Sequence, residues 1–324
     1  MRDVPLEGLV YQSVPGFEDH LKEELSFVPA SDDPALHSRM PSRAGNIEQW
    51  GSLFYVSLPP PRIPPVFWSL NTWLNPVKIE FESINEAAGA LRKIQRNWAP
   101  VPFTQFRRTA LIASRLPGIS QKRRPFPWLL PDAPMGAWTL LDGHTMVASS
   151  RCSSPFPAGV IEFEEDREGP PSRAYLKLWE SLVRLRRLPK PGERCLDAGA
   201  SPGGWTWAIS RLGAEVIAVD RAPLDARVLS MPGVSFIQHD AFTLRPEEIG
   251  PVDWLFSDVI CYPPRLYEWI EKWLNSGLCK NFVCTIKMQG AVDFDTLRRF
   301  AAIPGSQVLH LYHNKHELTW MKIC

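Results

Sequence analysis

Long hydrophobic runs are absent from this sequence of 324 residues, although 44% of its residues are hydrophobic and 22% are charged. No apolar stretch approaches the roughly 18 residues that a membrane-spanning helix needs, and the N-terminal residues do not have the pattern of an export signal. The composition is typical of globular proteins. We therefore expect a cytoplasmic globular protein without membrane contacts, long enough for two or three domains of ordinary size.

Cysteine is also scarce, and no two cysteines have the Cys-x-x-Cys spacing that zinc sites and redox motifs commonly use. Most of them lie inside apolar runs, which indicates reduced, buried thiols. We therefore expect neither a metal site nor disulfide bonds, and the six cysteines are Cys152, Cys195, Cys261, Cys279, Cys284 and Cys324.

The net charge is only +1, so the chain has no overall excess of basic residues of the kind that marks many nucleic-acid-binding domains. The distribution is uneven, however, because residues 91–130 contain no acidic residue and alternate basic with aromatic side chains. Guanidinium groups contact phosphates and aromatic rings stack on unpaired bases. The alternative interpretation accounts for the pattern equally well: the basic residues form the solvated face of a helix, and the aromatic residues belong to the hydrophobic core. The candidate RNA-binding residues are Arg107, Arg108, Lys122, Arg123 and Arg124.

Proline, with 32 residues, is concentrated in the first half of the chain, and this shift in composition predicts a domain boundary near residue 165. Upstream of it the pattern is α+β. Strands are predicted at 9–14, 53–58 and 77–81, helices at 16–27, 66–74 and 84–98, and a hairpin at 139–150 around the turn signal Asp142-Gly143.

Downstream of the boundary, strand-like and helix-like segments alternate regularly. Such alternation predicts a doubly wound α/β domain, in which a mostly parallel sheet is covered by helices on both faces. Strands are predicted at 194–197, 215–220, 234–238, 254–258, 282–286 and 307–312, and helices at 205–212, 265–276 and 295–302.

A glycine-rich loop joins the first of these strands to a helix, in the segment Cys195-Leu-Asp-Ala-Gly-Ala-Ser-Pro-Gly-Gly-Trp205. It is neither Gly-x-Gly-x-x-Gly nor a phosphate loop, which disfavours pyrophosphate as its ligand. The carboxylate of Asp197 favours a cationic amino-acid ligand. At the ends of the next two strand regions, Asp220 is placed to bind the hydroxyls of a ribose and Asp240 to contact the edge of an adenine ring. The candidate cofactor residues in these patterns are Asp197, Gly199, Ser201, Pro202, Gly203, Gly204, Trp205, Asp220 and Asp240.

Four further ionisable residues, Lys177, Asp258, Lys287 and Glu317, lie beside predicted strands of the same domain. A lysine of lowered pKa, held among carboxylates, can deprotonate a poor nucleophile such as a ribose hydroxyl. A lone lysine or glutamate is more often a solvated surface residue. Lys287 is the stronger candidate because it follows a buried-looking strand on the ligand side of the sheet.

With these motifs, the C-terminal half resembles the FtsJ/RrmJ-type RNA 2'-O-ribose methyltransferases, and among them the RlmM-like enzymes of large-subunit ribosomal RNA. The resemblance implies S-adenosylmethionine as cofactor and RNA as partner. It also implies a catalytic tetrad of Lys177, Asp258, Lys287 and Glu317, in which Lys287 is the general base and the others orient it and the substrate. Asp258 would then also lie at the methyl end of the cofactor.

The resemblance extends to the N-terminal half through Val14-Pro-Gly-Phe-Glu18 and Ser154-Pro-Phe156. It implies a ferredoxin-like domain at 1–82, a THUMP-like RNA-binding region at 83–164 and an FtsJ-type methyltransferase domain at 165–324. The THUMP-like region is short, and its proline-rich stretch at 125–134 departs from the family pattern, so RNA recognition is expected to differ.

Three other functions compete with ribosomal RNA methylation. The same chemistry could act on another RNA, such as a transfer RNA or a cap, or the protein could be a non-catalytic RNA-binding or ribosome-assembly factor. A nicotinamide-dependent dehydrogenase would need a dinucleotide loop that the sequence lacks. The segment Tyr262-Pro263-Pro264 is similar to part of the Asn-Pro-Pro-Tyr signature of amino-group methyltransferases, but its spacing differs and we interpret it as a loop.

Overall fold

The computed structural model describes residues 2–26, 47–57, 66–120 and 122–324. The chain divides into two compact units, a first unit of Met1–Arg123 with Pro131–Glu162 and a second unit of Arg124–Leu130 with Phe163–Cys324. The short segment Arg124–Leu130 thus belongs to a unit from which it is distant in sequence. None of the helices in these ranges is both long and apolar enough to cross a membrane. The domain bounds 1–82, 83–164 and 165–324 stay predictions.

The described part of the first unit contains two five-stranded sheets, in the strand orders β1-β6-β9-β8-β7 and β10-β5-β2-β4-β3. Each sheet takes strands from both sides of residue 82. Assignment of the sheets to ferredoxin-like and THUMP-like domains stays a prediction. The strands are β1 (Arg2–Pro5), β2 (Leu9–Ser13), β3 (Ile47–Trp50), β4 (Leu53–Val56), β5 (Ser69–Leu74), β6 (Val77–Glu80), β7 (Trp98–Pro100), β8 (Gly136–Leu140), β9 (Thr145–Ser149) and β10 (Arg151–Cys152), and the helices are α1 (Glu18–Ser26), α2 (Ile84–Ile94) and α3 (Phe106–Ala113).

The predicted helix at 66–74 is wrong, because Ser69–Leu74 forms strand β5. Its apolar residues recur at spacings that suit a helix, and a run this short does not distinguish the two structures by periodicity. The segment forms a strand because it pairs in antiparallel fashion with β2, with Val10 opposite Trp73. The predicted helix at 84–98 ends at Ile94, and α3 was not predicted. The predicted hairpin is confirmed, because β8 and β9 pair in antiparallel fashion. The last residues of the predicted helix at 16–27 and of the predicted strand at 53–58 lie outside the described ranges.

The second unit confirms the predicted α/β domain, and its described residues form one seven-stranded sheet in the order β13-β12-β11-β14-β15-β17-β16. The strands from β13 to β15 are parallel and β17 runs antiparallel between β15 and β16. The strands are β11 (Arg194–Ala198), β12 (Glu215–Asp220), β13 (Val234–Gln238), β14 (Val252–Ser257), β15 (Cys279–Lys287), β16 (Ser306–Leu309) and β17 (Glu317–Lys322), and the helices are α4 (Tyr175–Leu185), α5 (Gly204–Ser210), α6 (Ala226–Leu229), α7 (Pro246–Ile249), α8 (Pro263–Ser276) and α9 (Phe294–Ala301).

The helices α4, α6 and α7 were not predicted from the sequence, and neither was strand β17. It begins at Glu317, whereas the predicted last strand, 307–312, ends at Leu309 as β16. Five of its six residues are buried, because it is inserted between two other strands of the sheet. Its register places Lys287, the last residue of β15, directly opposite Glu317. The parallel strands and β17 thus bring ionisable residues to a common edge of the sheet.

Candidate functional site

Four side chains that are far apart in sequence form a compact charged cluster in the second unit. The Nζ of Lys177 lies 2.8 Å from Oδ1 of Asp258 and 2.7 Å from Oε1 of Glu317. The Nζ of Lys287 lies 3.0 Å from the same Asp258 oxygen and 3.8 Å from Oε2 of Glu317. These residues are called the Lys-Asp-Lys-Glu cluster below. Two cations and two anions balance its formal charge.

Each member of the cluster is positioned by a different element. Lys177 lies in the first turn of α4, and Asp258 directly follows the end of β14. Lys287 ends β15 and Glu317 begins β17, where the antiparallel register makes them partners. Because the carboxyl ends of neighbouring parallel strands lie at one edge of a sheet, Asp258 and Lys287 come together there. The helix then adds Lys177.

The two lysines of the cluster differ in accessibility. Burial opposes the charged form of Lys177, but Asp258 and Glu317 outweigh it and raise the pKa of this lysine. Its side chain is 8% exposed and makes short contacts to both carboxylates, whereas that of Lys287 is 20% exposed and makes only one. Lys177 is therefore suited to hold the carboxylates in place. Lys287 is the more exposed of the two lysines.

A buried glutamate, Glu180, connects two segments that carry members of the cluster, and it was not predicted from the sequence. Glu180 is fully buried on α4. Its Oε1 accepts hydrogen bonds from the backbone N–H of Tyr312 at 3.1 Å and from Nε of Arg184 at 3.1 Å, and its Oε2 accepts one from the backbone N–H of His313 at 3.0 Å. This carboxylate ties the loop before Glu317 to the helix that bears Lys177. The available signal was an acid three residues after Lys177 in an apolar helix.

The substitution Glu180→Gln should lower the free energy of unfolding by about 2–4 kcal/mol, because an amide cannot replace a carboxylate that accepts bonds from two backbone N–H groups and an arginine. Urea unfolding of the two proteins measures the difference. Glu268→Gln, at an exposed position of α8, is the matched control and should stay within about 0.5 kcal/mol of the parent. Equal stability of Glu180→Gln and the control would contradict a supporting role.

The glycine-rich loop between β11 and α5 approaches a neighbouring segment so closely at Gly199 that a side chain there is excluded. Gly199 has a φ of 82°, and a Cβ there would lie 2.8 Å from Cβ of Val259. A Cβ at Gly204 would clash only with Oγ of Ser172, the end of a side chain that can move. The loop is also held by hydrogen bonds. The backbone N–H of Ser201 donates to Asp220 at 3.0 Å, and the carbonyl of Pro202 accepts from Asp225 at 3.0 Å.

Asp197, on the strand before this loop, has a buried carboxylate oxygen without a hydrogen-bond partner in the protein. Its side chain is completely buried, its Oδ2 accepts a 2.6 Å hydrogen bond from Oγ1 of Thr206, and its Oδ1 has no protein partner. Burial raises the pKa of Asp197 to about 7. An unpartnered buried carboxylate oxygen is costly unless a donor reaches it. A cationic amino group would satisfy this oxygen, and the binding of such a group by Asp197 stays a prediction.

The other predicted cofactor residues are arranged around the same loop. Asp220 ends β12, where its carboxylate accepts bonds from Ser201 and from the backbone N–H of Ala222 at 2.8 Å. Gly203 has a φ of 117° and packs against α6. The buried indole of Trp205 donates to the carbonyl of Ala174 at 2.9 Å, so its side chain belongs to the core. Contacts of these residues with a cofactor stay predictions.

Asp240 lies two residues beyond the end of β13, and its carboxylate has partners of its own. It accepts a 3.0 Å hydrogen bond from the backbone N–H of Phe242 and lies 3.5 Å from the guanidinium of Arg265. Arg265 in turn lies over the Phe242 ring, with 4.6 Å from Cζ to the centroid. These contacts hold Asp240 at the edge of the sheet. Contact between Asp240 and an adenine ring stays a prediction.

The five candidate RNA-binding residues do not form one cluster. Arg107 and Arg108 lie on α3 of the first unit, where Arg107 is exposed and Arg108 lies over the Phe81 ring at 5.6 Å. Lys122 is exposed, and Arg123 is 3.4 Å from Glu162. Arg124 belongs to the second unit and lies over the Trp128 ring at 4.9 Å. Their binding of RNA stays a prediction.

No group of three or more His, Cys, Asp or Glu side chains suited to a metal ion occurs in residues 2–26, 47–57, 66–120 and 122–324.

Residues 170–302 match the sequence profile of the FtsJ-like methyltransferases. This range contains Lys177, Asp258, Lys287 and the glycine-rich loop, and it ends before Glu317. The match therefore covers most of the second unit.

Similar proteins include the ribosomal RNA large subunit methyltransferase M of Xanthomonas oryzae, which is 35% identical over 196 residues that cover 55% of this chain and 56% of the relative. The matched region is about half the length of that relative. The protein of the same name from Xanthomonas axonopodis is 28% identical over 360 residues, covering 97% of this chain and 98% of the relative. A solved structure of a ribosomal RNA methyltransferase from Plasmodium falciparum covers 47% of this chain and 96% of its own, with 19% identity and a TM-score of 0.37.

Proposed function

Residues 170–302 of this chain belong to the FtsJ-like methyltransferases, and from this premise we propose that the protein transfers a methyl group from S-adenosylmethionine to a ribose 2'-hydroxyl of large-subunit ribosomal RNA. The names of the Xanthomonas relatives support this choice of RNA. The observation that carries the proposal is the Lys-Asp-Lys-Glu cluster, because a ribose hydroxyl needs a positioned base and the cluster offers one. The expected cytoplasmic location belongs to the same proposal.

The chain's own residues would hold the cofactor at the edge of the sheet. The unpartnered Oδ1 of Asp197 would accept a hydrogen bond from its ammonium group, and the glycine-rich loop would let the protein backbone approach the cofactor closely. Asp220 ends β12, and Asp240 lies two residues beyond the end of β13. When bound, S-adenosylmethionine supplies an electrophilic methyl group on a sulfonium ion. Asp258 would lie at the methyl end of this site, as the resemblance implies.

Lys287 acts as the general base in this proposal. Its Nζ would accept the 2'-hydroxyl proton, so that the ribose oxygen could take the methyl group that the cofactor's sulfonium would give up as it leaves as the neutral thioether. Lys177 stays protonated, because two carboxylates within 2.8 Å favour its charge more than burial opposes it. It also partly neutralises the carboxylates that Lys287 faces, and Glu317 and Asp258 fix the direction of the Lys287 side chain.

Transfer assays with labelled S-adenosylmethionine test this function. The purified protein is incubated with ribosomal RNA from cells that lack its gene, and the methylated nucleoside is identified by digestion and mass spectrometry. A 2'-O-methylated nucleoside at one large-subunit site is expected. Methylation of a transfer RNA or cap instead would keep the chemistry and change the substrate. Cofactor binding without transfer to any of these RNAs would favour a non-catalytic RNA-binding role.

Charge reversal at Arg107 should weaken RNA binding in a salt-dependent way, since each phosphate contact adds roughly one unit to the slope of log affinity against log salt. We expect Arg107→Glu to lower the affinity and reduce that slope by about 1, measured by fluorescence anisotropy with ribosomal RNA fragments. Arg151→Glu, an exposed residue of the same unit outside the acid-free stretch, is the control. Equal slopes for all three proteins would identify Arg107 as a solvated surface residue.

A further inference from the structure

Two large apolar side chains are exposed in the loop between β14 and α8, directly after Asp258. The residue exposure is 75% for Ile260 and 63% for Tyr262. In the described part of the second unit, the other exposed large hydrophobic residues are Leu129, Leu229 and Ile237, each in a different segment. Exposed apolar side chains that are adjacent to one another mark interaction sites more often than isolated ones do. This loop therefore requires a functional explanation.

Buried and exposed side chains alternate along this loop. Cys261 and Pro263 are buried, whereas Ile260 and Tyr262 are exposed. Tyr262 has an extended backbone, with φ −68° and ψ 143°, and precedes a proline pair that begins α8. Proline fixes its own φ and restricts the residue before it, so the backbone of Tyr262 is held before any ligand binds. Its ring can then bind a partner at low entropic cost.

The position of the loop connects it to both parts of the candidate site. It begins at Asp258, a member of the Lys-Asp-Lys-Glu cluster, and its residue Val259 packs against Gly199 of the glycine-rich loop. In the first turn of α8, Arg265 adds a guanidinium whose side chain is about half exposed. An aromatic face, an aliphatic side chain and a cation thus lie at the edge of the sheet where the reaction would occur.

We propose that Tyr262, with Ile260 beside it, is the surface on which the nucleobase of the methylated nucleotide stacks. This inference rests on the proposed function and names how that site holds its substrate. A hydroxyl must be held close to Lys287, and an unpaired base can be fixed by stacking on an aromatic ring. Stacking on one aromatic side chain contributes roughly 1–3 kcal/mol per base, equivalent to about a 5- to 150-fold change in affinity. Neither side chain is needed in the core.

Steady-state kinetics with ribosomal RNA from cells lacking the gene measure this contribution. We expect Tyr262→Ala to lower kcat/KM for RNA by about 5- to 150-fold, mainly through KM, while Tyr262→Phe stays within about twofold because it keeps the ring. The KM for S-adenosylmethionine should not change. Leu229→Ala, an exposed apolar residue on α6, is the control. Values of kcat/KM for Tyr262→Ala within twofold of the parent would overturn the proposal.

Ultraviolet crosslinking to the same RNA gives a readout that does not depend on catalysis. We expect a nucleotide attached to the peptide that contains residues 259–265, lost in Tyr262→Ala and retained in Leu229→Ala. If the parent protein crosslinks at Tyr262 but transfers no methyl group, the proposed function fails and Tyr262 is left as a base-stacking residue of an RNA-binding protein. If it transfers methyl groups but crosslinks only elsewhere, and Tyr262→Ala is fully active, the stacking surface fails and the proposed function stands.

Discussion

Replacing Lys287 by alanine should reduce the rate of methyl transfer by at least about a hundredfold, because general bases typically contribute 10²- to 10⁴-fold to such a step. The substitution removes the more accessible lysine of the cluster and leaves Lys177 between its two carboxylates. Single-turnover assays with saturating RNA measure the effect on chemistry. The affinity of Lys287→Ala for S-adenosylmethionine should change little. The substitution Asp220→Ala, by contrast, should weaken cofactor binding before it affects the methyl-transfer step, because the Asp220 carboxylate accepts a hydrogen bond from the glycine-rich loop.

Lys287→Arg separates the proton acceptor from the positive charge. Arginine keeps the charge beside Asp258 but does not lose its proton in proteins, so this variant should be as inactive as Lys287→Ala. Lys272→Ala, an exposed lysine of α8, should have the parental rate. Full activity of Lys287→Ala would show that the base is wrongly assigned. Activity restored by arginine would show that Lys287 acts through its charge alone.

The stability of the protein should respond to pH through Asp197 by up to about 4 kcal/mol, since one pKa unit corresponds to about 1.4 kcal/mol. Burial raises the pKa of Asp197 from 3.8 to about 7 in the folded state. The protonated form is therefore favoured by folding, and its stabilising effect is fully present below pH 4 and is lost as the pH rises through 7. Asp197→Asn carries no charge at any pH and should not show this loss.

Urea unfolding between pH 4 and pH 8 tests this expectation. The free energies of unfolding of the parent and of Asp197→Asn should be similar at pH 4, and the variant should become progressively more stable than the parent towards pH 8. Asp295→Asn, with a side chain that is 95% exposed, is the control and should show no such trend. Asp197→Asn should also bind S-adenosylmethionine about 10- to 100-fold more weakly, the loss of one charged hydrogen bond. A pH-independent difference in stability would contradict the raised pKa.

The order of the parallel strands in the second unit could be predicted because most of them are buried apolar runs. The strands from β11 to β15 lie where the sequence placed them, to within a few residues. The first unit was harder to predict. Short apolar runs such as Ser69–Leu74 have the same composition in a helix and in a strand, and only pairing with β2 decides between them.

For the candidate site, too, some properties follow from the sequence and others depend on the tertiary structure. Sequence by itself determined which residues have the necessary chemistry, because a glycine-rich loop, acids at strand ends and lysines beside buried strands are local patterns. Only the tertiary structure decided that Lys177, Asp258, Lys287 and Glu317 share hydrogen-bonding distances, since 140 residues separate Lys177 from Glu317. It also decided that Glu180 is a buried support and that Tyr262 is exposed. Burial and contact depend on which segments pack together, and a local pattern does not contain that information.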